Sequence, residues 1–102
     1  MVKMSIIFRQ PEDETAFDNH YVASLALIER LPGIIRRQAC MVIGSPAGRS
    51  PYYRLLELYF PDQETLDAAL RSQAGQIAGA HLMRNPAGGS QIEILFAEVY
   101  EE

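Results

Sequence analysis

Tyr52-Tyr53-Arg54-Leu55-Leu56-Glu57-Leu58-Tyr59-Phe60 is the stretch that decides the fold. A run of nine residues rich in large apolar and aromatic groups, closed by Pro61, reads as a strand. Side chains alternate across a strand, so Tyr53, Leu55, Glu57 and Tyr59 fall on one side and Leu56, Leu58 and Phe60 on the other. A strand that is apolar on both sides belongs to a sheet that must be covered twice.

Working outward, Val2, Met4, Ile6 and Phe8 alternate with Lys3, Ser5, Ile7 and Arg9, a period of two that predicts a strand with one face in the core. Pro11 closes it. The acidic run Glu12-Asp13-Glu14 suits a helix N-terminus, where exposed amides and the helix dipole favour negative charge. Phe17, Tyr21, Leu25, Ile28 and Leu31 then recur every third or fourth residue, which predicts an amphipathic helix stopped by Pro32-Gly33. Gly33 to Ile43 reads as a second strand, and the segment from Gly44 to Pro51 as a loop. After the long strand, Asp62 is placed to cap a second helix with Leu66, Ala69 and Leu70 on its apolar side, weakened toward its end by Gly75 and Gly79. Asn85 to Gly89 reads as a loop and Gln91 to Tyr100 as a last strand.

The order strand, helix, strand, strand, helix, strand is the split β-α-β arrangement of an α+β, ferredoxin-like domain: a four-stranded antiparallel sheet with two helices on one face. A chain of 102 residues, 48% hydrophobic, supplies one core, so residues 1–102 are expected to form one domain. No segment remains to cover the other sheet face. A second copy of the chain is the simplest cover, and a homodimer is expected.

Composition excludes several function classes. A formal net charge of -4, with no clustered Lys and Arg, argues against nucleic acid. Arg36 and Arg37 are neighbours that point to opposite faces of a strand. No apolar run is long enough to cross a membrane, and Met1-Val2-Lys3-Met4 leads directly into a strand pattern, so a cytoplasmic protein is expected. Cys40, the only cysteine, sits among Ala39, Met41 and Val42 and reads as a reduced, buried thiol. Two histidines, His20 and His81, without other ligands at metal spacing give no basis for a metal site. The loop from Gly44 to Ser50 lacks the Lys, the spacing and the following helix of a phosphate-binding loop. No cofactor is therefore expected.

His20 and Ser24 stand four apart on the apolar side of the first helix and can meet there. One reading makes His20 a proton donor or acceptor to a ligand, with Ser24 orienting it; the other makes both structural, each bonded to a nearby carbonyl. Glu57 and Tyr59 point away from the helix layer, into the interior of the expected dimer. A carboxylate there must be paired or protonated; a structural ion pair with Arg36 or Arg37 on the adjacent strand is the expected arrangement, and a catalytic base is the alternative.

Phe17-Asp18-Asn19-His20-Tyr21, Leu31-Pro32-Gly33 and Leu56-Glu57-Leu58-Tyr59-Phe60 together resemble the EthD family of dimeric α/β-barrel proteins over nearly the whole chain. The resemblance implies a homodimer whose two sheets pack into a barrel, each subunit keeping a pocket between helix and sheet. Relatives in the wider superfamily include monooxygenases, isomerases and cyclases of aromatic or polyketide-like compounds, commonly without metal or organic cofactor. His20 fits one family position. The family's further histidine would fall near Ser24 or Leu25, neither of which is His, so a role resting on it does not carry over. The function expected is the binding of a small organic molecule, apolar or aromatic, with His20 as a catalytic group and Tyr21, Ser24, Glu57 and Tyr59 in contact with the ligand. The alternative is a non-catalytic binding or structural dimer.

Overall fold

The computed structural model describes residues 1–84 and 92–100, so the expected loop from Asn85 to Gly89 lies outside the described residues. Four strands and three helices follow one another as β1 (Val2–Arg9), α1 (Glu14–Ile28), β2 (Arg36–Met41), β3 (Tyr52–Phe60), α2 (Gln63–Arg71), α3 (Gln73–Met83) and β4 (Ile92–Glu98). The strands lie in the order β2-β3-β1-β4, antiparallel throughout. This is the four-stranded, ferredoxin-like α+β sheet that the sequence predicts, with β1 and β3 central.

The period of two in β1 resolves as expected: Val2, Met4, Ile6 and Phe8 are buried and their alternates half-buried. They pair across the sheet with Phe60, Leu58, Leu56 and Arg54 of β3. Phe17, Tyr21 and Ile28 of α1, Leu66 and Ala69 of α2, and Ala78 and Leu82 of α3 close the same core. All three helices thus cover one face.

Both helix starts read from sequence are capped as the chemistry requires. Asp13 accepts from the Ala16 amide at 3.0 Å, and Asp62 accepts from the Thr65 amide at 2.8 Å and the Thr65 hydroxyl at 2.7 Å. The turn after α1 needs Gly33, whose φ is +90° and where an added Cβ would meet the Thr65 methyl.

Three expectations are corrected. The single helix read after Asp62 is two, because Ser72 leaves the helix at ψ 161°; it donates to the Ala69 carbonyl at 2.6 Å and accepts from the Gly75 amide at 3.0 Å. One side chain therefore closes α2 and opens α3, and His81 lies inside α3. Tyr53 does not share a side with Leu55 and Tyr59. The register between β1 and β3 passes from Phe8 opposite Arg54 to Arg9 opposite Tyr52, leaving Tyr53 as the extra residue of a bulge. Its ring meets Phe17 of α1, 5.3 Å away and edge-on, on the helix side. Glu57, third, pairs with Lys3 of β1 and not with Arg36 or Arg37.

Candidate functional site

The residues singled out from the sequence occupy three separate neighbourhoods. The first lies between α1 and α3. The rings of His20 and His81 stack in parallel, 4.3 Å between centroids and 10° apart, and the Ser24 hydroxyl lies 2.8 Å from His81 Nδ1. Ser24 is buried, and neither of the expected carbonyl bonds forms around this pair; Ser24 orients His81, not His20. His20 Nε2 is buried without a hydrogen-bond partner. Desolvation first, then the neighbouring His20 and Arg84, lower the pKa of His81. Two stacked imidazoles cannot both take a proton cheaply.

That pair predicts a pH effect of definite sign. The unfolded chain protonates His81 near its ordinary value of about 6.5, whereas in the fold its value is lower. The contribution to stability is present above that ordinary value and is lost as pH falls through the lowered one. Thermal unfolding followed between pH 7.5 and 5.5 should therefore show a fall in Tm for the wild type that is smaller in His81→Gln. Equal falls would show that the pair carries no such linkage.

The second neighbourhood lies on the other flank of α1, where the helix meets β3. Tyr21, adjacent to His20 but turned about 100° around the helix, packs parallel to Phe17 at 5.8 Å and edge-on to Phe8 at 5.3 Å. The Arg54 guanidinium sits over the Tyr21 ring at 4.6 Å and the Tyr53 ring at 5.3 Å. Its Nη2 is 3.1 Å from Asp18 Oδ1, which also accepts from the Tyr53 hydroxyl at 3.4 Å. The Tyr21 hydroxyl and Arg54 Nε are buried and make no hydrogen bond of ordinary geometry. Burial raises the pKa of Tyr21, against an opposing pull from Arg54. Burial likewise raises that of Tyr53, reinforced by Asp18 and Glu14.

One turn beyond Tyr21 on α1, and two residues beyond Arg54 on the same face of β3, a groove of about 280 Å³ opens between α1 and β2. Leu25, Ala39 and Leu56 line it, and the ion pair of Glu29 with Arg37 bounds it. A larger hollow of about 460 Å³ over the chain from Leu31 to Arg37 is walled mostly by exposed residues and encloses no titratable group beyond that same pair and Arg36. Between α1, α3 and the sheet lies a third cavity, about 70 Å³, lined by residues such as Met4, Ile28 and Leu82. Its wholly apolar walls offer a water nothing to bond to.

The third neighbourhood is the open sheet face. Glu57 is paired there with Lys3 of β1, not with Arg36 or Arg37, and the Ser5 hydroxyl is 3.3 Å from the same carboxylate oxygen. This bond raises the pKa of Lys3. The register explains the choice: Ser5 faces Glu57 directly and Lys3 is its diagonal neighbour. Arg37 lies on the helix side and turns to Glu29, while Arg36 lies over the Tyr59 ring at 5.0 Å.

The structure therefore brings His20 and Ser24 together, through His81, and separates them from Tyr21 and from Glu57 and Tyr59. Two polar participants escaped the sequence reading. Arg54 shares the side of Leu56, Leu58 and Phe60, and a charge on a core-facing parity was a usable signal. His81 stands three residues from Ala78 and one before Leu82, on the buried stripe of α3, but its partner is 57 positions away and no local pattern announces it.

No family model matches the chain. Comparison with known proteins nevertheless finds relatives along its whole length. An uncharacterized 11.0 kDa protein of the thcB-thcC intergenic region of Rhodococcus erythropolis is 31% identical over 100 residues, 96% of this chain and 94% of the relative. Among solved structures, an ethyl tert-butyl ether d (ethd) family protein from Bacillus halodurans is 34% identical, with a TM-score of 0.91 over 98% of this chain and 99% of the other. A dimeric ferredoxin-like protein of unknown function from Jannaschia sp. CCS1 superposes with a TM-score of 0.73 at 21% identity, over 97% and 100% of the two chains.

Proposed function

The chain belongs to the EthD family, and from that premise we propose that it works as a homodimer in which each subunit holds a small apolar or aromatic compound in the groove between α1 and β2. The observation that carries this reading is the groove itself. It has an apolar lining of Leu25, Ala39 and Leu56, a volume of about 280 Å³, and beyond it two unpartnered polar atoms, the Tyr21 hydroxyl one turn back on α1 and Arg54 Nε two residues back on β3. Such sites are concave and mostly apolar, with few polar groups.

Homodimer formation is supported by the open sheet face. Ile7 and Leu55 are register partners there, and Leu95, opposite Ser5, is 56% exposed. A second sheet packed over them removes that apolar surface from water. The Lys3–Glu57 pair enters such an interface already neutralised, which lessens the cost of its burial. The Jannaschia protein of the same fold is dimeric.

A second reading makes the protein a cofactor-free enzyme. It is favoured by the buried, unpartnered Nε2 of His20 beside His81, whose lowered pKa favours the neutral imidazole that a proton transfer needs. The groove lies on the opposite flank of α1, so under this reading a substrate must also reach the α1–α3 seam. Affinity that titrates near pH 6.5 and vanishes in His20→Ala would favour the enzyme; flat affinity from pH 5 to 8 favours the binding protein.

Light scattering combined with thermal denaturation tests the proposal. The expected mass is twice the 11.4 kDa of one chain, and 1-naphthalenemethanol, a neutral ring compound, is expected to raise Tm. A monomer, or a Tm indifferent to ring compounds, would overturn it.

A further inference from the structure

Resting on the groove assigned above, we infer that the compound it accepts carries an oxyanion, an enolate, phenolate or carboxylate oxygen, and that Tyr21 and Arg54 are the anchor for it. Three polar side-chain atoms among the described residues are buried without a partner: His20 Nε2, Tyr21 Oη and Arg54 Nε. Two of the three belong to one corner. A buried donor left unmade costs about 1–3 kcal/mol, so a pair of them in one place is a feature that a ligand atom would relieve.

The corner is built before any ligand arrives. Arg54 is held between the Tyr21 and Tyr53 rings, and its Nη2 is fixed by Asp18, whose side chain is 42% exposed. Asp18 thus occupies the outer edge of the guanidinium; the buried Nε makes no hydrogen bond of ordinary geometry, although the guanidinium lies close enough to the Tyr21 hydroxyl to oppose the rise that burial gives its pKa. Arginine donates only, through five N–H groups in a rigid fork, and a tyrosine kept protonated donates through its hydroxyl. An acceptor oxygen seated between them would satisfy both donors, and the guanidinium charge favours that oxygen as an anion.

Place in the fold links this corner to the groove. Tyr21 and Leu25 are four apart on α1 and so lie on one face, one turn apart. Arg54 and Leu56 are paired with Met41 and Ala39 of β2 on the helix side of the sheet. A ring resting on Leu25, Ala39 and Leu56 would have the Tyr21 and Arg54 corner one turn back along α1 and two residues back along β3, so a substituent pointing that way would have to carry the oxygen that meets them.

The test compares 1-naphthoate with 1-naphthalenemethanol by calorimetric titration into wild-type protein, Tyr21→Phe and Arg54→Lys. Wild type is expected to bind the naphthoate at least about tenfold more tightly than the alcohol, and each substitution to remove about tenfold of the naphthoate affinity while changing the alcohol's little. Tyr21→Phe separates anchoring from folding: it deletes an unpartnered hydroxyl, so the Tm of the free protein should hold or rise while naphthoate affinity falls. Equal affinity for the two compounds, or naphthoate binding untouched in both variants, overturns the anchor and leaves the groove. Absence of binding by either compound overturns both.

Discussion

Gly75→Ala is expected to destabilise the fold by roughly 3 kcal/mol, at the upper end of what overpacking costs, although alanine is ordinarily the better helix former. Gly75 lies in the first turn of α3, packed against the C-terminal end of α2. A Cβ there would run into the Ala69 carbonyl oxygen, with the Leu70 carbonyl oxygen at 2.8 Å and carbon at 3.0 Å. These are backbone atoms and cannot rotate away, so relief requires α2 and α3 to part and Ser72 to lose its bonds to both. Gly79, one turn further on, is the control: nothing lies within 4 Å of its added Cβ. Gly79→Ala should stabilise by about 0.5–1 kcal/mol through helix propensity. In a domain of this size each kcal/mol moves Tm by about 4–8 °C. The pair of variants should therefore move in opposite directions in thermal denaturation. A Gly75→Ala protein that melts with the wild type would show that the two helices do not approach as described.

Phe17→Ala should cost about 3–5 kcal/mol, a large share of the 5–15 kcal/mol that holds a typical domain together. Phe17 is 2% exposed and touches three rings: Phe8 at 5.5 Å and Tyr53 at 5.3 Å edge-on, and Tyr21 in parallel at 5.8 Å. Edge-on and offset pairs each add about 0.5–1.5 kcal/mol beyond area. Truncation would leave a cavity where α1 crosses the ends of β1 and β3. The same side chain holds Tyr21 and Tyr53 around Arg54, so Phe17→Ala should also weaken 1-naphthoate binding without touching it. Urea unfolding monitored for the midpoint at constant slope gives the stability term. A loss below about 1 kcal/mol would mean that the cluster is not packed as a unit.

Much of this fold was legible because its signals are local. The alternation of Val2, Met4, Ile6 and Phe8, the stripe of Phe17, Tyr21 and Ile28, and the caps Asp13 and Asp62 each depend on residues a few positions apart. The misread elements depend on distant ones. Ser72 breaks the helix because Gly75 lets α3 fold back against α2, a tertiary choice that the apolar spacing of Leu66, Ala69 and Leu70 does not encode. Tyr53 changes side through a bulge that exists only in the pairing of β1 with β3. Glu57 takes Lys3, 54 positions away, because β1 and not β2 places an amino group on its diagonal. The site divides in the same way: the sequence places Glu57 and Tyr59 on the sheet face away from His20, Tyr21 and Ser24, but the turn of about 100° between His20 and Tyr21 sends the first to His81 and the second to Arg54, partners 61 and 33 positions away.

Methyl NMR of the protein titrated with 1-naphthalenemethanol tests most directly whether the groove between α1 and β2 is the binding site. The methyl resonances of Leu25, Ala39 and Leu56 are expected to shift together and saturably, with those of Ile7, Leu55 and Leu95 on the open sheet face unmoved. Shifts confined to the open-face methyls, or none at all, would contradict it.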